Sequence, residues 1–349
     1  MKIAILGGGL AGTACAYIFK KHGLEPVIYE AGASLGPGAS GNRVGLYNPR
    51  FTAEKGPEEE FYSGAFFAAL EVFERLEGIA WNPCGALHLV NDEKKAKRFP
   101  QTVQNWGWGA DAMRMVKAAE ASEIAGITIE YDALYLSGSG TVSPRLLCEA
   151  YARGVEVHLN HPVENLSDIQ ADAIVLAGGM GLAHFPEAAH LPLRAVRGQV
   201  TYIEHSAETL KLRCTIGYGG YVTPVVEGIH CVGSTFQRWL DHSEIIGQDD
   251  LDNIMRLHAH VHAFRGLHTV EGQRAAVRTT APDHFPVVGA LNDMLDGGRK
   301  IYVSTAHGSH GILSSLRAAQ YLAGLLSDQA DYDFSEDLKA KLSPGRFKA

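Results

Sequence analysis

The stretch Ile3-Ala4-Ile5-Leu6-Gly7-Gly8-Gly9-Leu10-Ala11-Gly12 opens the chain and decides how the rest is read. Four apolar residues of strand character run into a G-x-G-x-x-G pattern at Gly7, Gly9 and Gly12, and Thr13 to Phe19 continues as a helix of small and apolar residues. The first glycine permits a tight turn, the second lets backbone approach a pyrophosphate, and the third lets the helix pack on the strand. The helix start at Leu10 and Ala11 offers free N–H groups and a positive dipole end to phosphates. Gly23 ends the helix, and Pro26-Val27-Ile28-Tyr29 reads as a second strand. Glu30 and Ala31 follow, about twenty residues beyond the glycines, where a carboxylate accepts both ribose hydroxyls. An acidic side chain there argues against a 2′-phosphate, which leaves FAD or NAD as the dinucleotide.

The next stretch, Gly32 to Gly45, is too poor in bulky side chains to build a core. Backbone that must pass close to a large planar ligand needs such residues, so Ser40, Gly41, Asn42, Arg43, Val44 and Gly45 are candidate cofactor contacts. The whole chain has 349 residues, which predicts about two domains. Its 46 % hydrophobic and 20 % charged content is the reverse of a disordered composition. No apolar run approaches the ~20 residues that span a bilayer, so a membrane protein is not expected. A formal net charge of −8 gives no bulk attraction for nucleic acid, and any such partner must meet a local basic patch. Five widely spaced cysteines without a C-x-x-C pair read as reduced thiols in a cytoplasmic protein.

Farther along, helices are expected over Phe61 to Glu77, from Ser143-Pro144 to about Arg153, over Asp249 to Leu267, and over Ile312 to Leu326. The basic run Lys94, Lys95, Lys97, Arg98 reads as a solvated helix face. His258, His260 and His262 fall on different helix faces, so no metal site is expected. Ala173 to Leu176 is a second buried strand, ending in Ala177-Gly178-Gly179, and should lie beside the first. From Arg197 to Gly233 alternating strands predict an antiparallel sheet. Lys300 to Thr305 is another buried strand, ending in a glycine turn at Gly308-Ser309-His310-Gly311 and Ile312. Open parallel sheets place ligands at the carboxyl ends of their strands, so these glycine-rich ends point to one ligand contacted repeatedly. The expected fold is α/β, with a Rossmann-type FAD-binding parallel-sheet domain over 1–80, 141–193 and 275–349. An inserted antiparallel-sheet α+β substrate domain covers 81–140 and 194–274.

Taken in order, these pieces resemble the D-amino-acid-oxidase-like superfamily of FAD enzymes, which includes glycine and sarcosine oxidases. The resemblance covers essentially the whole length. It rests on the glycine fingerprint with Glu30, Pro162-Val163, Ala177-Gly178-Gly179, Arg197-Gly198-Gln199, and the helix after the last glycine turn. Ala39 to Gly45 with Tyr47 and Pro49, and Ala276-Val277-Arg278 with Asp283 to Gly289, look closer to the oxidase half of bacterial enzymes that modify the tRNA wobble uridine. Those enzymes often carry a methyltransferase half ahead of the oxidase. This chain starts directly at the fingerprint. The partners that the resemblance brings into consideration are tRNA or a small amine as substrate and, as one option, a separate tRNA methyltransferase.

The resemblance implies FAD as cofactor, with Val163 against the adenine, Arg278 holding a substrate carboxylate at the flavin face, and Tyr218 and Tyr221 over the flavin. Arg43 and Arg50 are further candidates for the carboxylate, and His310 stands where the family usually has arginine. It also implies oxidation of a carboxymethylamino group, converting 5-carboxymethylaminomethyl-uridine to 5-aminomethyl-uridine with release of glyoxylate. A planar guanidinium suits a carboxylate better than an ammonium does, and the flavin carries the chemistry, in keeping with the absence of a recognisable triad. The alternatives are a small-molecule amine oxidase of glycine or sarcosine type, and a flavin-binding subunit without turnover. On the cofactor, an NAD-linked dehydrogenase is the runner-up.

Overall fold

The computed structural model describes residues 1–295 and 298–347. The expected 275–349 segment therefore includes residues 296–297 and 348–349, which lie outside the described ones. Lys2–Leu6 sits near the middle of a six-stranded sheet in the order Val287–Leu295, Arg299–Thr305, Ala173–Leu176, Lys2–Leu6, Glu25–Tyr29, Glu156–His158. Every neighbour is parallel except the Val287–Leu295 and Arg299–Thr305 pair. Ile3 and Ile5 face helices Leu10–Lys21, Pro57–Phe73 and Gly311–Leu326 in one core, while Ala4 and Leu6 face Leu166, Leu182 and Phe185 in another. Both faces are covered, which is why these strands read as continuous apolar runs rather than alternating ones.

The second sheet has eight strands, in the order Val270–Thr280, Arg194–Glu204, Ile229–Gly233, Tyr221–Val222, Thr215–Gly217, Ala86–Leu89, Ala133–Leu136, Met113–Val116. It is antiparallel but for Thr215–Gly217 running parallel to Ala86–Leu89. Its Leu87, Ile203, Ile216 and Val232 pack with Leu257 and Phe264 in a separate core. Val270–Thr280 is one continuous strand of this sheet, paired along its length with Arg194–Glu204, and it runs through the boundary expected at 274/275.

Several element boundaries differ from the sequence reading for local reasons. The Pro57–Phe73 helix starts earlier, with proline in its first turn and Glu58, Glu59 and Glu60 beside the positive dipole end. The helix expected over 249–267 runs from Gly247 to His260 and gives way to a single 3₁₀ turn at His262–Phe264 that buries Phe264. At its start, Asp249 pairs with Arg197, both side chains essentially fully buried. Arg197 also donates to Gln199 Oε1 at 2.9 Å and to the Glu244 carbonyl. No helix among the described residues is long and apolar enough to cross a membrane.

Candidate active site

A cavity of about 990 Å³ opens between the carboxyl ends of the parallel strands and the eight-stranded sheet. The glycine loop forms one end of it. Gly7 has φ +116°, and a Cβ there would stand 2.8 Å from the Ala177 carbonyl carbon and from Gly178 Cα, so only glycine lets the two strand ends meet. A Cβ on Gly12 would run into the Gly7 carbonyl oxygen, which fits its packing task and keeps it off the cavity wall. Gly9 caps the Leu10–Lys21 helix and has no side chain of its own to cap the first-turn amides, which have no intrahelical acceptor. Ser40 Oγ accepts from Leu10 N at 3.0 Å and binds the small-residue loop to this helix start. Glu30 is buried, with Oε2 accepting from Gly8 N at 2.6 Å and Oε1 from Gly32 N at 2.7 Å.

The strand Arg299–Thr305 delivers the opposite wall. Ala306 turns the chain with φ +60°, a conformation that L side chains rarely adopt, and Gly308 follows at φ +58°. His307 lies between Ser304 Oγ at 3.1 Å and Ser314 Oγ at 2.9 Å. Ser314 donates its proton to the His310 carbonyl at 2.9 Å, so His307 Nδ1 must donate to Ser314 and its Nε2 must accept from Ser304. Burial pushes His307 down to about 4. His310 points Nδ1 at the Asn48 carbonyl, 3.4 Å away, and burial with help from Arg50 brings it to about 4 despite that carbonyl. Where the superfamily resemblance anticipates an arginine, this wall is therefore uncharged.

Arg278 projects from Val270–Thr280 into the cavity. Its Nη2 donates to Ser234 Oγ at 2.7 Å, and its guanidinium lies 5.5 Å from the centre of the Phe236 ring. Nη1 is buried with no partner, and burial lowers its proton affinity, partly offset by Tyr221. Nη1 is packed against Gly198, and a buried guanidinium nitrogen without an acceptor is costly; the residue as a whole lines the cavity and brings a positive charge to it.

Among the other expected contacts, Glu30, Ser40, Asn42, Gly45, Ala177, Gly178, Gly179, Ser309, Gly311, Ile312, Tyr221 and Arg50 line the cavity with the glycine loop and Gly308. Others lie off its wall. Tyr218 is buried in the second sheet's core, where its hydroxyl donates to the Tyr221 carbonyl at 3.2 Å. Arg43 turns outward to pair with Glu227 at 2.7 Å. Val44 packs with Val200 and Cys231, Gly41 sits under Arg274, and Val163 packs against the core that holds Ala4 and Leu6. Ala31 is exposed.

The basic run requires a correction. Lys94 and Lys97 are solvated, but Lys95 and Arg98, one helical turn apart on Glu93–Trp106, line the cavity mouth. Lys95 is held by the Asn91 carboxamide and by Asp92 at 3.3 Å. The i, i+3 spacing was the available signal. His88, Phe51, Phe99, Phe236 and Arg256 also line the site and carried no sequence signal of their own. His88 is buried with Nε2 unpartnered, and desolvation with Lys95 and Arg98 nearby pushes it down to about 3.

A mostly parallel sheet with a glycine-lined cradle at its strand ends defines a dinucleotide-binding protein. Residues 2–325 match the family described as FAD dependent oxidoreductase, and the chain belongs to that family. Its cofactor is FAD. The chain is 30% identical to the tRNA 5-methylaminomethyl-2-thiouridine biosynthesis bifunctional protein MnmC of Methylobacillus flagellatus, over 99% of this chain and 59% of that protein. With the MnmC of Legionella pneumophila (strain Corby) the identity is 27% over 98% and 56%. The chain thus spans less than two thirds of the length of these relatives. In fold it is similar to glycine oxidase from Geobacillus kaustophilus, with a TM-score of 0.78 at 20% identity over 99% and 98% of the two chains.

Proposed function

We propose that this chain oxidises the carboxymethylamino group of 5-carboxymethylaminomethyl-uridine at the tRNA wobble position, leaving 5-aminomethyl-uridine and glyoxylate. The observation that carries the reading is the charge of the cavity. Among the described residues its wall bears Arg50, Lys95, Arg98, Arg256 and Arg278 against the single carboxylate Glu30, in a chain of formal net charge −8. Of these, Lys95 and Arg98 stand at the mouth, where a polyanionic substrate needs cations, although Asp92 pairs with Lys95, Glu58 with Arg50, and the bulk charge is opposed. Similarity to the MnmC proteins, whose names refer to tRNA uridine biosynthesis, supports the same substrate class.

The residues present fit FAD. The Gly7 to Gly12 loop and the helix start at Ala11 would hold the pyrophosphate, Glu30 the ribose hydroxyls, and the Gly308 to Ile312 turn the far end of the cofactor. Bound FAD supplies the acceptor for two electrons. Arg278, which lines the cavity, would take the substrate carboxylate on its guanidinium and fix the adjoining CH₂–NH unit. Five surrounding cations disfavour an ammonium, so the secondary amine is held neutral, as oxidation next to nitrogen requires. Two hydrogens leave the CH₂–NH unit, water adds to the resulting C=N carbon, and the C–N bond breaks to give glyoxylate and the primary amine. His88 and His310, uncharged at neutral pH, can accept hydrogen bonds in this space without competing for the carboxylate.

A small N-substituted glycine would satisfy Arg278 equally well, and the glycine-oxidase fold favours that second reading. Anaerobic titration of the yellow holoenzyme separates the two. Hypomodified tRNA is expected to bleach the flavin and release glyoxylate. Rapid bleaching by glycine or sarcosine, with tRNA inert, would overturn the tRNA assignment. A separate methyltransferase partner is tested by co-purification with that activity.

A further inference from the structure

Next to the main cavity lies a second one of about 450 Å³, walled by Arg194, Arg238, Trp239, Asp241, Thr280 and His284 among others. Trp239 is 76 % exposed, the most exposed aromatic side chain among the large hydrophobic residues. An indole left in water on a floppy loop would be unremarkable, but this one stands on an anchored turn. Gln237 and Arg197 exchange two backbone hydrogen bonds of 2.9 Å, and the Gln237 side chain donates to Asp249 at 2.9 Å. Arg197 itself is the fully buried partner of Asp249. The network fixes the base of the turn, so Arg238 and Trp239 project from a rigid support.

The two cavities are lined by neighbouring residues of the same strand and the same turn. Thr279 lines the main cavity and Thr280 the second. Phe236 faces the first and Arg238 the second, and Arg50 of the first donates to the carbonyl of His284 in the second at 2.7 Å. Asp241 is the one carboxylate on this wall among the described residues, against the cations Arg194 and Arg238. An exposed aromatic face flanked by guanidinium groups is the chemistry that seats single-stranded nucleic acid: a base stacks and a phosphate pairs, without sequence readout.

We propose that this pocket holds a nucleotide of the RNA strand neighbouring the substrate uridine, its base on the Trp239 indole and its phosphate between Arg194 and Arg238. The inference rests on the tRNA reading above and adds a specificity site outside the reaction cavity. A free amino acid in the reaction cavity is too short to occupy this pocket at the same time, so the pocket favours an oligonucleotide over a small amine.

The test is the affinity of the FAD-loaded enzyme for a hypomodified anticodon stem-loop RNA, measured by fluorescence anisotropy, with flavin content and melting temperature as folding controls. Trp239→Ala is expected to weaken binding roughly five- to hundred-fold, the range for removing one base–aromatic stack. Trp239→Phe should retain most of the affinity, and Arg238→Glu should weaken it and flatten its salt dependence. If the parent enzyme binds the RNA and Trp239→Ala binds it equally well, the pocket assignment fails while the tRNA reading stands. If the parent does not bind the RNA, both fail. If RNA affinity is unchanged but Trp239→Ala alters the sedimentation coefficient, the patch is a contact between copies of this chain and the proposal is overturned.

Discussion

The guanidinium of Arg278 occupies the space that a side chain on Gly198 would fill: a Cβ at 198 would stand 2.7 Å from Arg278 Cζ. The two residues lie on paired strands, Gly198 opposite Ala276 and Arg278 opposite Val196. Gly198→Ala must therefore push the guanidinium off its seat. The expected result is a rise in substrate KM, with flavin reduction slowed by up to about a hundredfold, as for ångström-scale misplacement of a binding group. FAD content should remain unchanged, because Gly198 belongs to the second sheet and is not among the residues that line the cavity. Stopped-flow reduction alongside a flavin spectrum checks both parts.

Arg278→Lys keeps the charge and loses the fork. Removing a charge-assisted hydrogen bond of this kind costs about 1.5–3 kcal/mol, so flavin reduction by substrate should fall roughly ten- to hundredfold while FAD binding holds. Equal reduction rates in the two proteins would show that the carboxylate binds elsewhere.

Glu30 holds the loop through the Gly8 and Gly32 amides. Glu30→Ala leaves both without their acceptor, and the expected outcome is protein that loses its yellow colour on gel filtration. Glu30→Gln, which can still accept through one oxygen, should retain part of the flavin.

Arg98 lines the cavity mouth and makes no contact with the glycine loop. Arg98→Glu is expected to lower kcat/KM for tRNA and reduce the steepness of its salt dependence by about one phosphate contact. Melting temperature should be nearly unaffected, since the residue is exposed.

His307 is held neutral, with its proton affinity lowered to about 4 from the ordinary 6.5. A depressed folded-state value means that the unfolded chain binds the proton first. The stability contributed by the neutral ring is thus complete above about pH 6.5 and is lost as pH falls toward 4. Melting temperature should decline across that window, and His307→Gln should make the decline shallower.

Much of the fold was legible because the signals are local. Ile3 to Gly12, Pro26 to Glu30 and Ala173 to Gly179 each carry a buried strand and its turn within a few residues, and Lys2–Leu6 does lie between Glu25–Tyr29 and Ala173–Leu176. The antiparallel character of the Arg194–Glu204 region was readable from alternation. The Asp92 to Arg98 run was misjudged in part, because a helix face turned toward a cavity has the same composition as one turned toward water. Only packing distinguishes Lys95 from Lys94.

By itself, then, the sequence determined the dinucleotide cradle: glycines at fixed spacing are demanded by backbone contacts only a few residues apart. What the tertiary structure decided is which side chains meet there. Arg278 gains its unpaired nitrogen from Gly198 and Ser234, Tyr218 is turned into a core while Tyr221 faces the cavity, and Arg43 is drawn outward by Glu227. These outcomes depend on strand pairing between residues far apart in the chain, and no local pattern encodes which face of a distant strand a side chain will share.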